Sequence, residues 1–137
     1  MANVIVTDTG FAADAWTGQA APLSGEIPAN VQAIDVAPDD DVTTLEGHLE
    51  HLTMIRVAFP NSSDGRGFTQ AKRLRQMGYR GRLRAKGHVL ADQYAMARRA
   101  GFDEVEIDAT LAARQPEQQW RARSDWRSHD YQARLRG

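Results

Sequence analysis

The sequence predicts an α/β fold: repeated βα units forming a small, mainly parallel four-stranded sheet, open or half-barrel-like, with an N-terminal arm or hairpin. Strand-length apolar runs alternate with amphipathic segments of about ten residues between 31 and 108, the rhythm of βα crossovers. The run Met54-Ile55-Arg56-Val57-Ala58-Phe59 is nearly continuously apolar and lacks strict alternation, as expected of a strand covered on both faces in a parallel sheet. At 137 residues the chain has material for one hydrophobic core. The predicted organisation is an arm or hairpin over 1–30, the α/β core over 31–108 and an Arg/Trp-rich polar tail over 109–137.

Taken in order, Gly10, Gly18, Pro22, Gly25 and Pro28 interrupt the first thirty residues and leave short strand-like runs such as Val4-Ile5-Val6 and then Leu23. Val31 to Val36 is a predicted strand, punctuated by Pro38 and the acids Asp39, Asp40 and Asp41. Those acids suit the positive end of a following helix, on which Val42, Leu45, Leu49 and Leu52 form one apolar stripe. The strand at 54–59 stops at Pro60. A second helix is predicted from Phe68 to Met77, with Ala71, Leu74 and Met77 inward, Lys72, Arg73 and Arg75 largely outward, and Gly78 ending it. A short strand follows at Arg82-Leu83-Arg84-Ala85. The third helix carries Leu90, Tyr94 and Ala97, with Asp92 in its first turn, Arg98 and Arg99 in its last, and Gly101 as its stop. Phe102 to Ile107 alternates as a fourth strand, read as a candidate edge. An unpaired edge favours a homodimer.

Composition excludes several classes. With no cysteine there is no disulfide, thiolate nucleophile or Cys-type zinc site, and no cofactor is evident. No stretch is long and apolar enough for a bilayer span, and the N-terminal residues lack the basic and apolar regions of a secretion signal, so a cytoplasmic location without membrane partners is expected. Charge is strongly segregated. Residues 1–55 hold nine acids and no Lys or Arg, whereas 56–137 hold all 17 basic residues and the other nine acids. The favoured reading is that the two halves attract each other within one fold, and nucleic acid is not the expected partner. The tail residues Trp120, Trp126, Tyr131, Arg134 and Arg136 suit a protein interface.

Ligands of open parallel sheets bind outside the carboxyl ends of the strands. That rule selects Pro60 to Gly67 and Lys86-Gly87-His88. Gly65 and Gly67 permit close approach to a ligand, and Arg66, Arg84 and Lys86 supply charge, so Asp64, Gly65, Arg66, Gly67, Arg84, Lys86 and Gly87 form a candidate anion-binding or docking surface. The alternative is a tight βα turn in which Asp64 holds Arg66. His88 at a helix start with Asp92 one turn later is a candidate acid/base pair, against the plainer reading of a surface hydrogen bond. His48 and His51 lack a third ligand and read as a solvated helix face, so no metal site is expected.

The blocks Phe59-Pro60, Asp64-Gly65-Arg66-Gly67-Phe68, Ala71, Leu74-Arg75, Leu83-Arg84-Ala85, Gly87, Val89-Leu90, Asp92-Gln93 and Gly101-Phe102-Asp103 resemble the signature of the bacterial DUF934 proteins, over about residues 31–108. Members are labelled probable oxidoreductases involved in sulfite reduction. The resemblance implies a role beside assimilatory sulfite reductase, with which genes of the family commonly cluster, but supplies no catalytic residue. Ser62-Ser63 stands where many members have an aromatic residue, and Lys86 separates Ala85 from Gly87. Without cysteine or a complete dinucleotide fingerprint the chain is poorly equipped to carry electrons. What the resemblance implies is therefore an accessory protein that docks on a sulfite reductase component or holds an anion. The alternatives are a small oxidoreductase or lyase acting on an anionic substrate with a borrowed cofactor, and a nucleic-acid-binding module using the basic half.

Overall fold

The computed structural model describes residues 3–127 apart from 17, 19, 24–26 and 29. Its strands are β1 (Val4–Thr7), β2 (Gly10–Ala13), β3 (Ala20–Pro22), β4 (Ala33–Val36), β5 (Met54–Phe59), β6 (Arg82–Gly87) and β7 (Glu104–Ile107). They form one seven-stranded sheet in the order β2-β1-β7-β6-β5-β4-β3. Strands β3 to β7 are mutually parallel. The hairpin β1-β2 adds antiparallel to β7.

The sheet is therefore larger than the four strands expected from sequence, and β7 is not an edge. The N-terminal segment supplies the difference. Val4-Ile5-Val6 is apolar and β-branched, but it is too short to declare its partner, and only the register Ile5 to Glu106 shows where it belongs. The βα spacing over 31–108 leaves little room for antiparallel pairing among the core strands; the hairpin pairs antiparallel because it reaches β7 from outside them.

Crossovers between parallel strands are right-handed, and β4 to β7 follow one another in chain order across the sheet. Their connections accordingly lie on one face. That face receives Ile34, Val36, Ile55, Val57, Phe59, Leu83, Ala85, Val105 and Ile107, all buried. Helix α1 (Arg66–Gln76) lays Phe68, Ala71 and Leu74 on it, and α2 (Tyr94–Ala100) lays Tyr94, Ala97 and Ala100. The Phe59 ring packs 5.0 Å from that of Phe68 and 5.8 Å from that of Phe102.

The predicted first helix is not an α-helix. Asp41 caps a 3-10 turn over Val42–Leu45, and Glu46 then leaves helical geometry with ψ 130°, so Leu49 and Leu52 reach the core from turns. The third helix also starts later than predicted: a 3-10 turn over Ala91–Gln93 leads into α2. Arg75, expected outward, turns back to donate to the carbonyls of Tyr79, Gly81 and Gly101. Residues 109–127 are folded rather than a loose polar tail. Asp108 caps α3 (Ala109–Arg114), α4 (Glu117–Arg121) follows, and Trp120 is 1% exposed against Tyr94. Gly25, Tyr131, Arg134 and Arg136 lie outside the described residues. Among the described residues no helix is long and apolar enough to cross a membrane.

Candidate functional site

The face opposite the helices is built by alternation. In a strand, successive side chains point to opposite faces, so burying Ile55, Leu83 and Val105 under the helices sends Arg56, Arg82, Arg84, Lys86, Glu104 and Glu106 to the other side. The parallel register sets Arg56 beside Arg84, and Arg84 beside Glu104. Among the described residues no helix follows there. The chain leaving β2 crosses that face instead: Asp14 reaches Arg84, Trp16 lies over the Arg56 guanidinium at 5.8 Å, and Gly18 sits close against Trp16 and Gln32.

Arg84 is fully buried at the centre of the charged face. Its Nε donates to Glu104 at 2.6 Å, its Nη1 to Glu106 at 2.8 Å and to Asp14 at 3.0 Å. Around it, Arg82 pairs with Glu104, Lys86 with Glu106, and Arg56 with Asp35. The four cations Arg56, Arg82, Arg84 and Lys86 face the four carboxylates Asp14, Asp35, Glu104 and Glu106, so the lattice is neutral. Burial alone would lower the Arg84 pKa, but hydrogen bonds and charge from Asp14, Glu104 and Glu106 outweigh it and raise it. The Arg84 hydrogen bond in turn holds Asp14 below the ordinary carboxylate range, against a smaller desolvation effect. An arginine held by three carboxylates neutralises its neighbours and has little left for a ligand.

The lattice opens at one end. A cavity of about 450 Å³ is lined by Asp35, Arg56, Ala58, Phe59, Pro60, Lys86, Gly87 and His88. It sits at the carboxyl ends of β4, β5 and β6, where open α/β sheets bind ligands, and its size suits a small molecule. Arg56 and Asp35 form a two-point pair at 2.6 and 2.8 Å, which raises the arginine pKa. Lys86 is held more loosely, 3.7 Å from Glu106 with 42% of its side chain exposed. His88 is exposed at the lip. Gly87 has φ 128°, and a Cβ there would lie 2.4 Å from the Phe59 carbonyl oxygen. Only glycine lets β6 bend over β5 at this point, and the bend lets the His88 N–H donate to that carbonyl at 2.8 Å.

The predicted site residues divide. Lys86, Gly87 and His88 meet in the cavity, and Arg84 lies beneath it in the lattice. Asp64, Gly65, Arg66 and Gly67 lie at the start of α1. Arg66 is occupied there by Asp64 at 2.7 Å and Asp39 at 2.6 Å, and its hydrogen bonds lower the Asp64 pKa to about 2. Gly67 has a packing reason of its own, since a Cβ would lie 2.5 Å from the Phe59 ring, whereas one at Gly65 would meet nothing within 4 Å. His88 does not open a helix. It follows β6 directly, and Asp92 takes the Arg123 guanidinium at 2.8 Å. The two fall in different hollows, Asp92 lining one with Arg99 and Trp126. His48 and His51 stack edge to face at 5.7 Å, and no group of three or more potential ligands forms a metal site among the described residues.

Sequence reasoning missed Asp14, Trp16, Asp35, Arg56, Glu104 and Glu106. A signal existed: Arg82, Arg84 and Lys86 alternate with apolar residues, as do Glu104 and Glu106, and opposite charges at period two on neighbouring strands form cross-strand pairs.

A family model described as a bacterial protein of unknown function, DUF934, matches residues 33–137. The chain belongs to the DUF934 family. No curated protein and no solved structure matches it. The DUF934 match extends through α3, α4 and the rest of the tail, well past the Asp108 limit read from the sequence. It includes every residue lining the cavity, whereas β1, β2, β3 and the Asp14–Trp16 crossing precede it.

Proposed function

We propose that this protein is a non-catalytic accessory of sulfite assimilation that acts beside sulfite reductase and holds a small anion in the cavity between β5 and β6. The observation that carries the proposal is the convergence of Lys86 and His88 on one cavity at the carboxyl edge of the parallel strands. The sulfite context comes from the family resemblance. Calorimetric titration is expected to detect sulfite or a related oxyanion binding, reduced about tenfold or more by Lys86→Met, which removes a charge-assisted contact. A deletion strain is expected to grow normally on cysteine and poorly on sulfate or sulfite. Equal growth on all three would remove the role, and a pull-down from sulfate-grown cells tests the reductase partner. A homodimer belongs to the same proposal; with β7 covered by β1 its interface uses another surface, and light scattering measures it.

A second reading is a small oxidoreductase or lyase acting on an anionic substrate with a borrowed cofactor. What favours it is the exposed His88 beside Lys86, the composition of a proton-transfer site. A cofactor co-purifying with the protein, seen by absorbance or mass spectrometry, would support it. Nucleic-acid binding is less favoured, because Arg56, Arg66, Arg84 and Arg98 are paired with Asp35, Asp39, Asp14 and Asp8 of the acidic half.

A further inference from the structure

We propose that the ligand of this cavity is an organic oxyanion, a short apolar body ending in one carboxylate, sulfonate or phosphate group, and that a bare inorganic oxyanion fills only its Lys86–His88 end. The inference rests on the anion-binding reading and deepens it by naming the ligand class.

The order of groups along the strands supports it. Register places Asp35 beside Arg56 at the floor, Ala58 beside Lys86 above, and Phe59 beside Gly87 above that. Two residues of strand rise about 6–7 Å, so the strand positions that carry floor and cation stand that far apart. At the floor, Arg56 and Asp35 neutralise each other through two short hydrogen bonds, and Trp16 covers the guanidinium. An anion gains less there, because the guanidinium charge is already met by a two-point carboxylate. Arg84 is closed to it for the same reason, with three carboxylates already in place.

The loosely held Lys86 and the exposed His88 remain, both toward the lip. A negative group placed against them leaves the rest of about 450 Å³ facing Ala58, Pro60 and a neutral floor. A sulfite ion leaves that space to water. A ligand carrying a few carbon atoms fills it and releases water from apolar surface, about fourfold in affinity for each methylene fully buried.

The test is a titration of the full chain, followed by 1H–15N NMR, with sulfite and inorganic phosphate against butane-1-sulfonate, butyrate and butyl phosphate, and with butan-1-ol as the neutral control. At least one butyl anion is expected to bind about tenfold or more tighter than its inorganic counterpart, and to move the amides of Ala58, Gly87 and His88. The ranking among the three identifies the head group. Lys86→Met should weaken every anion. Ala58→Leu, which fills the cavity, should remove the gain from the butyl chain. If sulfite binds with shifts at Lys86 and His88 while the butyl anions bind no tighter, the organic ligand is wrong and the anion site stands. Butan-1-ol binding as well as the sulfonate would overturn the charge requirement, and no binding by any anion would overturn both readings.

Discussion

Arg84 shows most directly how one residue organises this protein. Its side chain is fully buried, yet it stays charged because Glu104, Glu106 and Asp14 surround it. Replacing it by methionine leaves two nearly buried carboxylates without their main counter-charge. The expected cost is about 3–5 kcal/mol, read from urea unfolding. Glycines give a second contrast at this scale. Gly67→Ala drives a methyl group into the Phe59 ring and is expected to cost about 1–3 kcal/mol. Gly65→Ala meets open space and loses only a glycine at the helix cap, so its effect should be smaller, about 0.5–1 kcal/mol. Both glycines belong to the same Gly-Arg-Gly motif, and the sequence could not separate them because the ring that distinguishes them comes from Phe59, on another element.

At the scale of elements, the crossing from β2 to β3 takes the place that a second helical layer would occupy. It is tied down by the Asp14–Arg84 pair and by Trp16 over Arg56. Because the folded-state pKa of Asp14 is depressed below 3.8, its contribution to stability is present above that value and is lost as the pH falls through the folded pKa. Wild-type unfolding free energy is therefore expected to drop on acidification below pH 3.8, and Asp14→Asn should show a smaller drop over the same interval. An unchanged acid limb in the variant would mean that Asp14 does not hold the crossing. The hairpin has its own anchors. Asp8 in its turn accepts hydrogen bonds from the Tyr94 hydroxyl and Arg98, and the Glu117 carboxylate accepts the Phe11 N–H at 2.8 Å. Glu117→Ala is expected to cost about 1 kcal/mol by freeing that edge donor. The site's own elements were half legible: the sequence places Lys86, Gly87 and His88 in the loop after a strand at 82–85, whereas Lys86 and Gly87 complete β6 and His88 follows it, and Asp35 and Arg56 read only as parts of their strands.

For the molecule as a whole, the charge asymmetry finds a structural use. Acids of the first half meet basic residues of the second in the pairs Asp8–Arg98, Asp14–Arg84, Asp35–Arg56 and Asp39–Arg66. The end of the described chain is part of the same body, since Trp120 is buried and its indole N–H donates to the Gln115 carbonyl at 2.9 Å. Trp120→Ala is expected to cost about 3–5 kcal/mol and to lower the melting temperature of the entire domain in one transition. Survival of the native melting temperature in that variant would make the tail an appendage.

The sequence by itself determined what is local: the α/β class, the strand at 54–59, the stop of α2 at Gly101, and the glycine between Lys86 and His88. Each follows from neighbouring side chains, backbone freedom or apolar period. Only the tertiary structure decided that the sheet has seven strands, that one face is charged and crossed by the chain, and that Asp35 and Arg56 complete the cavity. Those facts depend on strand partners and register. Asp14 and Arg84 are 70 residues apart, and their attraction acts only after burial of Ile5, Val57 and Leu83 has brought their strands into place.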